Sequence, residues 1–294
     1  MLKEFFEENG IDFLEKESLK NHTTFKVGGR ADFIVIPKNS EQIIALLKLF
    51  KGENIRYYIL GRGSNVIFRD CDFKGVIIKT CNMNDIEIDG ETVTAQAGVT
   101  LSNLCKKVQL SGLSGLEFCY GIPGNVGGAI YMNAGAYGGE ICDCIKEIEY
   151  IDEKITKRII NVRDAKFSYR HSIFQDNDWI VTACKFSLKL GDGKNILQSM
   201  EDIMEKRRSK QPLDKPSAGS SFKRPQGHFA AALIDECNLK GKSCGGAQIS
   251  EKHAGFIINT GDATSDDIEM LAAEVARIVL EKTGVQLEKE MIIV

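Results

Sequence analysis

The feature that most constrains this chain is the run from Tyr120 to Glu140, YGIPGNVGGAIYMNAGAYGGE, in which seven residues are glycine. A flexible linker would alternate glycine with serine and carry no apolar anchors. Here Ile122, Val126, Ile130, Tyr131, Met132 and Tyr137 are interleaved with Gly121, Gly124, Gly127, Gly128, Gly135, Gly138 and Gly139. Glycine permits positive φ and close approach of another backbone or a ligand, and apolar neighbours pin such a backbone to a core. Two readings follow. The run is a rigid, side-chain-poor shelf offering backbone N–H groups to a bulky anion such as a cofactor pyrophosphate, or it is a set of tight turns between buried strands.

The rest of the chain narrows the class. A length of 294 residues with 43% hydrophobic content suits a globular protein of two or three domains. A net charge of −3 gives no electrostatic case for nucleic acid or an anionic membrane as partner. No apolar run reaches the roughly 18 residues of a membrane span. The N-terminal MLKEFFEENGIDFLEKE reads as an acidic amphipathic helix rather than a signal peptide. The nine cysteines are scattered without a Cys-x-x-Cys pair, and Cys105, Cys119 and Cys184 lie in apolar segments. That pattern points to reduced core thiols in a cytoplasmic protein and to no zinc site.

In chain order, the pattern predicts a strand over Ala31–Pro37 and a helix capped by Ser40, carrying Ile43, Ile44, Leu46, Leu47 and Phe50 and ended by Gly52. A strand at Tyr57–Leu60 runs into the turn Gly61-Arg62-Gly63-Ser64-Asn65, then Val66–Phe68. The turn begins like a dinucleotide fingerprint, but Val66 occupies the third glycine position and a strand, not a helix, follows. Such a turn can still hold phosphate through backbone N–H groups. Asp89-Gly90 predicts a hairpin between Ile86–Ile88 and Thr92–Gly98. Thr100 caps a short helix, Ile145–Ile160 reads as a second hairpin, and Trp179–Leu188 as a further strand. Gly191-Asp192-Gly193 marks an internal break before a helix ending in Arg207, Arg208 and Lys210. Beyond it come a helix at Phe229–Cys237, a turn at Gly241–Gly246, a strand at Gly255–Asn259 and a final strand at Val285–Val294. Thr264 with Asp267 caps the last helix, which ends at Gly284.

Four islands stand out: LGRGSNVIF (60–68), GIPGNVGGAIYMNAGAYGGEI (121–141), SYRHS (168–172) and PSAGSSFKRP (216–225), with the closing GVQLEKEMIIV (284–294). In this order and spacing the chain resembles the UDP-N-acetylenolpyruvoylglucosamine reductase family over nearly its whole length. The resemblance implies an α+β protein: a two-subdomain FAD-binding region of the vanillyl-alcohol-oxidase type (a PCMH-type fold), plus a C-terminal α+β substrate domain. The expected divisions are 1–75, 76–192 and 193–294. The resemblance also implies noncovalent FAD, NADPH as hydride donor, and enolpyruvyl-UDP-GlcNAc as substrate, reduced to UDP-N-acetylmuramate for peptidoglycan. It makes Gly61, Arg62, Gly63, Ser64 and Asn65, with Gly121, Ile122, Pro123, Gly124, Val126, Gly127 and Gly128, the cradle of the flavin dinucleotide.

Three side chains match the family's catalytic positions. Arg170 supplies a planar cation for an enolate-like carboxylate. Ser220 is the proton donor, selected over Ser221 by the Ala-Gly-Ser-x-Phe-Lys register, and Glu290, with Glu288 as competitor, polarises or protonates the intermediate. Lys210, Tyr169, Arg207 and Arg224 are the expected substrate contacts, with His228 and Gln248 as further candidates. Arg224 stands where longer members carry Asn, and about fifty residues separate Arg170 from Ser220, too few for their tyrosine-bearing loop. The chain thus resembles the short class, expected to act as a monomer. The alternative is an FAD-dependent oxidase or dehydrogenase of a small alcohol or phenol, which a covalent flavin link at His22 or His171 would favour.

Overall fold

A computed structural model describes residues 2–294. Two compact units emerge, each assembled from separate stretches of chain: residues 1–15, 33–62 and 74–206 in the first, and 16–32, 63–73 and 207–294 in the second. The chain therefore crosses between them inside the 61–65 glycine turn.

In the first unit, helix α1 spans Leu2–Glu8 and stops far short of the helix expected across the N-terminus. Gly10 adopts φ +59° and Ile11 N–H closes back on the Phe6 carbonyl, ending the helix as a left-handed glycine does. The following Asp12–Ser18 is a strand instead. It joins a four-stranded sheet in the order Asp12–Ser18, Arg30–Ile36, Phe73–Lys79, Tyr57–Leu60, the last two parallel. Helix α2 (Ser40–Gly52) buries Ile43, Leu46, Leu47 and Phe50 with Val35, Val76, Ile78 and Phe6 in one core. Its N-cap is Asn39, whose side chain accepts from Gln42 N–H, so Ser40 is the first helical residue rather than the cap.

A five-stranded antiparallel sheet carries the second core of this unit. Its order is Lys157–Asn161, Ile145–Ile151, Ile180–Ser187, Thr92–Gln96, Ile86–Asp89, and both expected hairpins are present. Helix α3 (Leu101–Leu110) is capped by Thr100 as expected. Helix α4 (Val126–Tyr131) lies inside the glycine run, where two glycines argue against a helix. Burial of Val126, Ala129 and Ile130 among Val93, Ala95, Ala97 and Ile148 outweighs that cost. Helix α5 (Gly193–Lys210) adds Ile196 and Met200 to the same core.

The second unit packs helices α6 (Ala230–Glu236) and α7 (Ser265–Thr283) with a small antiparallel sheet of Ser243–Cys244, Ala247–Ile249 and Ile257–Asn259. The first of these strands occupies part of the expected 241–246 turn. Helix α7 has the expected capping box of Thr264 and Asp267, and ends at Gly284 with φ +72°. Of the expected 285–294 strand, only Ile292–Ile293 forms a ladder, parallel to Val66–Ile67. All nine cysteines are free, and Cys105, Cys119, Cys144, Cys184 and Cys237 are buried. Burial pushes the Cys144 thiol up to about 12 and holds Cys184 well above the ordinary thiol range, so neither is a usable nucleophile.

Candidate active site

The glycine turn is built for close approach. Gly63 has φ +67°, and a Cβ there would lie 2.3 Å from the His22 carbonyl oxygen and 2.9 Å from Thr23 Cα. Thr24 N–H donates to the Gly63 carbonyl at 3.0 Å. The Thr23 hydroxyl is buried without a partner among the described residues. On the first unit's side of the turn, a Cβ on Gly61 would meet the Asn125 side-chain amide at 2.4 Å. Asn125 is buried, caps α4 and donates to the Thr80 hydroxyl at 3.4 Å.

Residues 121–128 are less a row of free amides than a closely stacked backbone. Ile122 and Gly124 donate inside local turns, Val126 to the Val99 carbonyl, Gly127 to Ala97, and Gly128 to the Asn125 cap. Their glycines serve contact: a Cβ on Gly127 would stand 3.0 Å from the Ala97 methyl. Gly121 takes φ +87°. The result is a surface stripped of side chains, able to lie flush against a flat ligand.

Ser220 and Glu290 belong to the second unit, on two stretches stitched together through backbone. Glu290 N–H donates to the Ser221 carbonyl at 2.9 Å and Lys223 N–H to the Glu288 carbonyl at 2.8 Å, with Phe222 bridging Lys289. The two adjacent serines have different fates. Ser221 is buried, its hydroxyl accepting Ile257 N–H at 2.9 Å, whereas Ser220 is exposed. The two glutamates differ too. Glu288 is exposed and pairs with Lys223 at 3.5 Å, while Glu290 is half-buried. Asn65, placed in the cradle by sequence, holds the segment that carries Glu290: its side-chain amide donates to the Glu290 carbonyl at 3.1 Å and its carbonyl accepts Ile292 N–H at 2.9 Å.

Arg170 sits in the first unit on a four-residue turn closed by two 3.1 Å bonds between Ser168 and His171. Its φ is +56°, a conformation that suits Gly or Asn and costs an arginine roughly 1–2 kcal/mol. Such an outlier persists only where the surroundings impose it, and these cluster at functional sites. The guanidinium donates to the Gly135 carbonyl at 3.2 Å and lies 5.1 Å from the centroid of the half-exposed Tyr169 ring. Asn133, fully buried with φ +42°, donates to the Ser168 carbonyl at 3.0 Å and to Glu140 at 2.8 Å. The Arg170 turn is thereby fastened to the far half of the glycine run.

Of the remaining expected residues, Arg62 and Lys210 are exposed, Arg207 is buried at the end of α5, and exposed Arg224 lies over the Phe229 ring at 4.6 Å. Ser64 is half-buried. His22 is beside Glu17 at 3.3 Å, and His171 beside Asp176 at 3.0 Å. No metal-ligand cluster occurs among the described residues. Asn125, Asn133 and Thr23 were not singled out from sequence. An Asn-x-x-Gly cap in the shelf could have marked the first, but the other two are recognisable only by burial.

A family model described as "FAD binding domain" matches residues 31–155, and one described as "UDP-N-acetylenolpyruvoylglucosamine reductase, C-terminal domain" matches residues 211–294. A relative from Caldanaerobacter subterraneus subsp. tengcongensis named UDP-N-acetylenolpyruvoylglucosamine reductase is 43% identical over 293 residues, 100% of this chain and 96% of its own. The chain belongs to the UDP-N-acetylenolpyruvoylglucosamine reductase family. The crystal structure of the reductase from Thermus caldophilus superposes with a TM-score of 0.81 at 31% identity, over 96% of this chain and 98% of that one. A glucooligosaccharide oxidase from Acremonium strictum shares the fold alone, with a TM-score of 0.51 at 11% identity over 98% of this chain and 60% of the oxidase. The FAD-binding α+β fold of the flavin oxidases is therefore common to the reductase family and to this chain.

The residues present fit a flavin dinucleotide. The Thr23 hydroxyl, buried without a partner among the described residues, lies beside the Gly63 turn, and a Cβ at Gly61 or Gly63 would collide with Asn125 or the His22 carbonyl and push the turn out of place. Gly63→Ala is expected to weaken FAD retention at least about tenfold through strain and collision. Gly52→Ala, which meets nothing within 4 Å, should leave it unchanged. Titration of apoprotein with FAD, followed by flavin fluorescence, checks this, and equal affinities would remove the turn from the cradle.

Proposed function

We propose that this protein is the NADPH-dependent flavoenzyme that reduces enolpyruvyl-UDP-GlcNAc to UDP-N-acetylmuramate, a step in peptidoglycan precursor synthesis. FAD when bound supplies two-electron hydride chemistry, recharged by NADPH. Hydride adds to the terminal methylene carbon of the substrate, and a proton adds to the neighbouring carbon, giving the lactyl ether. The observation that carries the assignment is the exposed Ser220 on a loop stitched to the segment of Glu290, together with family membership along the whole chain.

The protein's own groups have three tasks: hold the substrate, stabilise charge developing toward its carboxylate, and deliver one proton. Arg170 takes the second task, its rigid fork suited to a carboxylate gaining enolate character. Ser220 hands on the proton, and Glu290 polarises or protonates the intermediate. The 61–65 turn and the 121–128 backbone hold FAD, and Tyr169, Arg207, Lys210 and Arg224 contact the nucleotide substrate. The proposed division is into two FAD-binding subdomains, 1–75 and 76–192, and a substrate domain, 193–294; the three hydrophobic cores match it in number, while Ile196 and Met200 pack in the core of the second and Phe25, Val27 and Ile67 in that of the third.

Among the described residues no helix is long and apolar enough to cross a membrane, and the net charge is −3. The proposed protein acts as a monomer in the cytoplasm on a soluble nucleotide, and the charge gives no electrostatic case for nucleic acid or an anionic membrane as partner. Anaerobic stopped-flow spectroscopy tests the assignment. NADPH should bleach the bound flavin, and enolpyruvyl-UDP-GlcNAc should restore its colour. Restoration by a small alcohol's carbonyl product, but not by the enolpyruvyl nucleotide, would overturn it.

A further inference from the structure

Gln175 occupies a position that none of the catalytic assignments uses. It ends a short 3₁₀ turn, Ile173–Gln175, anchored by Phe174, whose buried ring meets Tyr150 and Trp179 edge-on at centroid distances of 5.7 and 6.3 Å. From this fixed base the Gln175 side-chain nitrogen donates to two carbonyls, Tyr131 at 2.7 Å and Arg170 at 2.9 Å. Both N–H bonds of one amide are thus used, each on an acceptor from a different element. Tyr131 is the last residue of α4, and its carbonyl is among those a helix end leaves without an intrahelical partner. Arg170 is the left-handed residue of its turn. One side chain therefore ties the end of α4, within the glycine run, to the backbone of the arginine.

Nothing in the local sequence favours arginine at positive φ, so the conformation has to be imposed from outside the turn. Contacts from neighbouring elements that reach that turn include Asn133 on the Ser168 carbonyl, Gly135 accepting the guanidinium, Asp176 beside the His171 ring, and Gln175 on the Arg170 carbonyl itself. Ser172 supports the same arrangement by donating to the Tyr131 carbonyl at 2.8 Å. Of these contacts, the Gln175 amide alone bonds both the strained residue's own peptide and the shelf helix. A rotation of that peptide would swing the guanidinium, and its distance from the shelf would no longer be fixed.

We infer that Gln175 is a positioning residue, setting where the Arg170 guanidinium stands relative to the glycine shelf. This rests on the catalytic reading of Arg170 given above. A misplacement of about 1 Å in a catalytic group can cost on the order of 100-fold in rate. Gln175→Met, which keeps the volume but loses both donors, should slow flavin reoxidation by enolpyruvyl-UDP-GlcNAc about 100-fold. Gln175→Glu, which sets acceptors against two carbonyls, should do the same. Gln175→Lys, which has donors and reach for both, should recover at least about tenfold of the loss. Reduction by NADPH should stay within about twofold in all three, because the interaction acts only in the second half-reaction.

Hydrogen exchange of the FAD-loaded protein gives a readout independent of activity: peptides covering residues 166–172 should exchange faster in Gln175→Met and Gln175→Glu than in the parent. Arg170→Gly, measured alongside, separates the two ideas. Normal reoxidation in Arg170→Gly would overturn the role of Arg170 and the inference with it. Slow reoxidation in Arg170→Gly with parental rates in Gln175→Met and Gln175→Glu would overturn the positioning role alone. So would an equal loss in both half-reactions, or unchanged exchange over 166–172.

Discussion

Ser220→Ala is expected to accept electrons from NADPH at close to the parental rate and to pass them to enolpyruvyl-UDP-GlcNAc on the order of 10³-fold more slowly. A positioned proton donor contributes about 10²–10⁴-fold, and the loss should fall entirely on the step that consumes a proton at carbon. The architecture makes the experiment clean. The loop is held by backbone bonds at Ser221 and Lys223 and by burial of Phe222, so removing an exposed hydroxyl at 220 disturbs none of its supports. Ser221→Ala is the matched control. It strips the acceptor from Ile257 N–H in a buried site, which should cost about 1–3 kcal/mol of stability while sparing the proton transfer. Single-turnover reoxidation and thermal unfolding of both variants separate the two roles. Unchanged reoxidation in Ser220→Ala, or a larger rate loss in Ser221→Ala, would exchange or abolish the assignments.

That distinction between neighbouring serines also marks how far sequence could be read. Local chemistry was sufficient where a short motif fixes its own geometry: the Thr264–Asp267 capping box with Gly284 closing α7, the Asp89-Gly90 hairpin, and Thr100 before α3. It failed where distant packing decides. Helix α4 forms through two glycines because Val126, Ala129 and Ile130 find a core. The N-terminal pattern splits into a helix and a strand at Gly10. The four sequence islands were visible because they resemble a family, not because any one of them announces its chemistry. Their supports were invisible for a different reason. Asn65 on the Glu290 carbonyl, Asn133 on Ser168 and Gln175 on Arg170 act through side-chain amides on backbone oxygens. Such bonds leave no periodicity and no required partner residue type, so only the folded chain reveals them.

Arg170 offers the sharpest separation of stability from activity. Arg170→Gly replaces a strained residue by the one that accepts φ near +56° freely. Relief of about 1–2 kcal/mol of backbone strain is opposed by loss of the Gly135 bond, about 1 kcal/mol, and by the greater entropy of glycine in the unfolded chain, about 0.4–1 kcal/mol. These nearly cancel, so denaturant midpoints should agree within about 1 kcal/mol of stability. The chemistry should not survive. A planar cation aimed at developing charge is worth on the order of 10²–10³-fold in turnover, and Arg170→Gly should lose that factor in the enolpyruvyl half-reaction while FAD affinity and NADPH-driven bleaching persist. Arg170→Lys should lie between the two, with the charge kept, the fork lost and the strain retained. A clear fall in stability with little change in reoxidation would mean that the arginine is there to hold its turn together, and that the strain at residue 170 has no catalytic purpose.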